Sequence, residues 1–168
     1  FRKGEYKNVF NKQMETPMAT VVVVASGNCE YNLKNDLLMT CLSRTLDMVY
    51  LEEVREKQGG TYGVQTVGQL TRYPKDEAIL QVVFNTDPTK REMLMQIIMS
   101  ELQKVAREGP KEEHLAKVKE AMVKQYAENI KENNYWLGQL YQYYWYNEDM
   151  NINYEQVVNS ITVKDVQE

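Results

Sequence analysis

The chain predicts an α+β fold, a mostly antiparallel sheet with helices packed on one face. Three observations carry this. Strand-like segments come early, and one of them is a continuous β-branched run. Segments with apolar residues three and four apart dominate the remainder. The two kinds do not alternate strictly, as a parallel sheet with crossover helices would require. At 168 residues, 43% hydrophobic and 26% charged, the chain has the size of one domain and the composition of a globular protein.

Taken in order, 6–10 and 20–25 read as strands, the second buried on both faces because its residues are apolar without interruption. Ser26-Gly27-Asn28 is a turn. From 34 to about 57 the pattern is helical, with Leu37, Leu38, Cys41, Leu42, Thr45, Met48, Val49 and Glu52 on one side and Gly59-Gly60 as the stop. Residues 61–72 and 78–85 form a hairpin across a turn at Tyr73-Pro74-Lys75-Asp76. A second helix opens near Thr89, where a Thr89–Glu92 capping box competes with Asp87 as cap, and Gly109-Pro110 ends it. Its stripe is Leu94, Ile98, Leu102 and Val105. A third runs over 111–131 with Leu115, Val118, Met122, Tyr126 and Ile130 inward, and a fourth, unusually aromatic, over 135–146. Thr162 with Asp165 begins a further helix. The chain is read as one domain, 1–168, cut at both ends from a larger multi-domain protein: it starts at Phe1 and stops inside that last helix.

A net charge of −4 and a pI near 5.2 argue against a nucleic-acid binder, which needs a basic surface to meet phosphates. No apolar run approaches the roughly 18 residues of a membrane span. The compartment is left open between periplasm or cell envelope and cytoplasm. Cys29 and Cys41 lack ligand spacing, and Cys41 lies in a helical pattern as a small hydrophobe. Their redox state is left open.

Catalytic groups are scarce. His114 is the one histidine, so a zinc site with three or four ligands is not expected in this chain. Glu112-Glu113-His114 shares its last residues with the HxxEH zinc motif, but Pro110 stands where the first ligand belongs, and the segment reads as a helix start and nothing more. Ser43, Ser100 and Ser160 lie in no nucleophile turn, and Gly59-Gly60 with Gly63 end a helix where a phosphate loop would begin one. No catalytic residue is assigned. The aromatic run Tyr135, Trp136, Tyr141, Tyr143, Tyr144, Trp145, Tyr146 is open to three readings: packing on the sheet, a docking surface for another domain, or a stacking platform that Glu132, Glu148 and Asp149 oppose.

One stretch is specific. Leu51 to Val64 carries Arg55 near a helix end and Tyr62 at the start of the next strand, seven residues on. This resembles the LR-x-x-(Q/E)-x-x-x-Y motif of the C-terminal, non-zinc half of pitrilysin/insulinase peptidases. Gly109-Pro110-Lys111-Glu112-Glu113 with Leu115 and Lys119, and Lys131-Glu132-Asn133-Asn134-Tyr135-Trp136-Leu137, are similar to later landmarks of that family. The resemblance implies a non-catalytic half that closes like a clamshell on a peptide or unfolded polypeptide. An HxxEH-bearing partner domain or subunit would hold Zn²⁺ and cut it. Arg55 and Tyr62 would be the substrate-binding residues, donating hydrogen bonds to the scissile carbonyl and more strongly to its oxyanion. Gly60 and Gly63 would admit extended backbone, although relatives often carry a bulky apolar residue at the Gly59-Gly60 position. The alternative within the same fold is a structural or assembly subunit without proteolytic role.

Overall fold

A computed structural model describes residues 4–13, 15–56 and 61–168, and for Arg55, Glu56 and Tyr62 the backbone alone. Strand β1 (Ala19–Asn28) is followed by helix α1 (Leu33–Tyr50), which continues into a π-helical segment, Leu51–Glu56. Then come β2 (Thr61–Thr71), β3 (Glu77–Thr86), α2 (Arg91–Glu108), α3 (Glu112–Asn129), α4 (Asn133–Tyr146), α5 (Tyr154–Ser160) and α6 (Val163–Gln167). The expected α+β class is the one observed. The sheet is antiparallel throughout, in the order β1-β3-β2.

Cross-strand pairing explains which residues are covered. Val21, Phe84 and Val64 share one row, Val23, Val82 and Thr66 the next, and all point into the core. The opposite face carries rows Val22–Val83–Gln65 and Val24–Gln81–Val67, with Val22, Val24 and Val67 about half exposed. The expectation that β1 is buried on both faces is therefore corrected. Helices cover one side of this sheet, so alternate valines of the run remain open. The strand expected over 6–10 is absent as well: that segment has no regular structure, and Tyr6, Val9 and Phe10 are exposed.

α1 is the central helix. Asn32 caps it by accepting from Asn35 N–H (2.9 Å). Its C-terminal half packs Leu46, Val49 and Tyr50 against Leu80, Val82 and Phe84 of β3 and Leu94 and Ile98 of α2. Its N-terminal half packs Leu37 and Cys41 against Leu115, Val118 and Met122 of α3 and Val158, Ile161 and Val166 beyond it. Cys41 is fully buried beside Met122 (Sγ–Sδ 3.5 Å), its pKa pushed up to about 11 chiefly by burial. Both cysteines are free thiols.

Two ties fix α1 on β2. Gly68 lies so close that a Cβ there would stand 2.5 Å from Met39 O. Asp47 Oδ1 accepts the Thr66 N–H at 2.7 Å; burial raises the Asp47 pKa, and this bond opposes the rise. At α2, Asp87 accepts from Thr89 N–H (2.8 Å) while Glu92 turns to Lys7 (3.2 Å), so the Thr89–Glu92 capping box does not form. At α6 Thr162 is the N-cap, as expected, and Asp165 completes a capping box with it. The end of α1 at Gly59-Gly60 lies outside the described residues.

α4 departs from the packing expectation. None of its residues is buried; Leu137, Leu140, Tyr141, Tyr144 and Trp145 face outward. Among the described residues, hydrogen bonds fasten its ends. Trp136 Nε1 donates to Ile130 O (2.8 Å), Tyr135 Oη to Asn151 Oδ1 (2.6 Å) and Arg72 to Tyr146 O (2.8 Å).

Candidate functional site

The motif that singled out Arg55 and Tyr62 maps onto one junction, where α1 ends and β2 begins. Arg55 is the fifth residue of the π-helical segment. π-helical turns are rare and concentrate at functional sites, because the wider turn is held there against the preference for α geometry. The segment lies against β2. Tyr62 falls in a β-bulge: Thr61 pairs with Thr86 and Val64 with Phe84, so β2 spends one residue more than β3 over this stretch. A bulge re-aims what it carries. The side chains of Arg55 and Tyr62 lie outside what is described.

The bulge is pinned by Thr61. Its Oγ1 donates to Asn85 O (2.6 Å) and accepts the Gly63 N–H (3.2 Å), satisfying groups that the interrupted ladder leaves over. A Cβ on Gly63 would meet nothing within 4 Å, so this stretch of backbone borders open space.

The π-helical segment is held on two sides. Inward, Val54 is fully buried beside Tyr50, Phe84, Leu94 and Ile98. Tyr50 Oη donates to Ile98 O (3.4 Å), and burial raises its pKa. Outward, the Glu52 carboxylate uses both oxygens. Oε2 takes Lys111 Nζ at 3.1 Å and Oε1 faces His114 Nε2 at 3.2 Å. Chiefly the Lys111 hydrogen bond holds the Glu52 pKa below its ordinary value.

His114 is more than the helix start expected of it. It is 1% exposed, and its Nδ1 has no hydrogen-bond partner among the described residues. A buried polar atom left without a partner costs about 1–3 kcal/mol. The signal was available: His114, Val118 and Met122 repeat every four residues on the buried stripe of α3. Glu52, Lys111 and Thr61, absent from the sequence assignment, complete the junction.

Elsewhere, a groove of about 1160 Å³ runs between α3 and residues 159–164. Its Lys119 is committed to the carbonyls of Asn159 and Ile161 (2.8 and 2.7 Å), which makes it a structural tie. Among the described residues, no three of His, Cys, Asp or Glu come together to hold a metal ion. Among them, too, no helix is long and apolar enough to cross a membrane.

Residues 2–122 match the family described as the peptidase M16 inactive domain. No curated protein matches the chain. Among solved structures, the periplasmic protease PqqL of Escherichia coli superposes with a TM-score of 0.78 at 16% identity, over 92% of this chain and 17% of that one. The peptidase M16 inactive domain of Pseudomonas fluorescens gives 0.71 at 18%, over 90% and 37%. The ferredoxin protease FusC, solved in complex with Arabidopsis ferredoxin, gives 0.72 at 15%, over 90% and 17%. At these identities the structures share the fold, and the chain spans well under half the length of each.

Proposed function

Since the chain belongs to the peptidase M16 inactive-domain family, we propose that it is the substrate-holding half of a zinc-dependent peptidase. In this reading it binds peptide or unfolded polypeptide, while a partner domain or subunit bearing HxxEH supplies Zn²⁺ and the hydrolytic chemistry. The observation that carries it is the junction itself. A π-helical turn bearing Arg55 and a bulge bearing Tyr62 meet at one end of a sheet whose other face is uncovered. Across that face the rows of valine and glutamine set apolar surface beside amide groups that can hydrogen-bond a bound chain. Arg55 and Tyr62 would donate to the substrate carbonyl, and their bonds would strengthen as charge develops on the oxygen. Protein as the ligand class is supported by FusC, which binds ferredoxin. Zinc would polarise the attacking water from the partner half.

The test uses the full-length parent and a quenched mixed-sequence peptide library. Zinc binding and cleavage by the parent, beside a metal-free and inert isolated chain, are expected. Arg55→Ala and Tyr62→Phe should each lower kcat/KM about 100- to 1,000-fold, the scale of one lost oxyanion donor, without releasing zinc. Unchanged turnover in both variants would sink the assigned roles.

A second reading, a structural or assembly subunit, is favoured by one observation, the outward aromatic surface of α4. A parent lacking HxxEH altogether would select it.

A further inference from the structure

We propose that His114, with Lys111, is a positioning residue for the substrate site: it fixes the π-helical segment, and so Arg55, through Glu52. The inference rests on the reading of Arg55 given above. Three observations converge on it. Glu52 stands three residues before Arg55 in the same six-residue π-helical segment, so what holds one sets the other's backbone. The carboxylate is gripped at both oxygens, and both partners come from the start of α3, an element separate from α1 and β2. The imidazole is buried with its Nδ1 unpartnered among the described residues, and its Nε2 lies 3.2 Å from Glu52 and 3.8 Å from Glu113.

That third point separates positioning from packing. An apolar residue of similar size would fill the same cavity without burying an unpaired nitrogen. The start of α3 does not need the imidazole either, since Glu112 and Glu113 already complement its dipole. What the imidazole adds is a polar nitrogen, Nε2, set from a fully buried position 3.2 Å from a carboxylate on the functional turn. An arginine guanidinium stands several bonds from its backbone, so rotation of that backbone by a fraction of a turn displaces it. Displacement by about an ångström is enough to reduce catalysis up to a hundred-fold.

The experiment is a double-mutant cycle in the full-length parent, reading kcat and KM on the quenched peptide library. His114→Leu keeps the volume and removes the polar nitrogen; His114→Gln keeps one. Glu52→Ala breaks the same link from the exposed side and guards against a His114 variant that fails to fold. His114→Leu and Glu52→Ala are expected to lower kcat roughly ten-fold with smaller change in KM and no loss of thermal stability in His114→Leu. His114→Gln should recover most of the loss. Placed on Arg55→Ala, His114→Leu should have no further effect. Equal loss in the wild-type and Arg55→Ala backgrounds, or wild-type turnover in both link-breaking variants, overturns the positioning role alone. An Arg55→Ala variant that cleaves as wild type does overturns the substrate reading, and the inference with it.

Discussion

Replacing Gly68 by alanine should pry α1 from the sheet. The added Cβ would stand 2.5 Å from Met39 O and 3.1 Å from its carbonyl carbon, about 0.9 Å inside the 3.4 Å at which ordinary contact begins. The obstacle is helix backbone, so no side chain can rotate away. Either α1 or β2 must shift, and the shift acts on Leu46 and Tyr50, which have no exposed surface to spare. Overpacking of this kind costs about 1–3 kcal/mol, and a backbone obstacle puts the cost toward the upper figure. For a chain of this length each kcal/mol is worth about 2–4 °C, so thermal unfolding followed by circular dichroism should show Tm lower by roughly 6–12 °C. Gly27→Ala is the control: its Cβ meets nothing within 4 Å, and the change should be neutral or slightly stabilising. A Gly68→Ala protein melting within about 2 °C of wild type, or a control that falls as far, would refute the close-approach argument.

Other consequences can be checked on the same instrument. Leu94→Ala empties a fully buried site between α2 and the sheet and should cost about 2–5 kcal/mol, whereas Leu137→Ala on the exposed side of α4 should change stability by less than about 0.5 kcal/mol. Asp165 is bonded to Lys34 (2.7 Å) and to Thr162, and these bonds, Lys34 first, hold its pKa well below the ordinary carboxylate range. A depressed carboxylate stabilises the fold above its unfolded pKa of about 4 and loses that contribution as pH falls below it. Wild type should therefore exceed Asp165→Asn by roughly 1 kcal/mol near pH 7 in urea unfolding. The gap should narrow below about pH 4; one that widened on acidification would show the sign to be wrong.

The hairpin was legible because turn chemistry at 73–76 lies between two β-branched runs, and the pairing of Thr71 with Glu77 falls where those runs meet the turn. α1, α2 and α3 were legible from their stripes. Burial of β1 on its second face was not, since a run of valines looks the same whether helices cover one side or two. α5 escaped notice because seven residues with one buried side chain, Val158, leave no period to read. The site divides the same way. Arg55 and Tyr62 are close in sequence and carry a recognisable spacing, whereas the link from Lys111 to Glu52 joins positions 59 apart. The π-helical geometry is likewise tertiary, with Val54 drawn into the core on one side and Glu52 held on the other.

The bare flank of α4 also bears on how the molecule breathes. A 14-residue helix is marginal in water when its own hydrogen bonds are all it has, and α4 buries none of its residues. Its amides therefore answer to a local opening equilibrium set by the fasteners at Ile130, Asn151 and Arg72, whereas the amides of α1 wait for global unfolding. Hydrogen exchange would resolve the chain into two cooperative units: a slow one built around α1, and a fast one consisting of a helix that is stapled to the fold without belonging to its core.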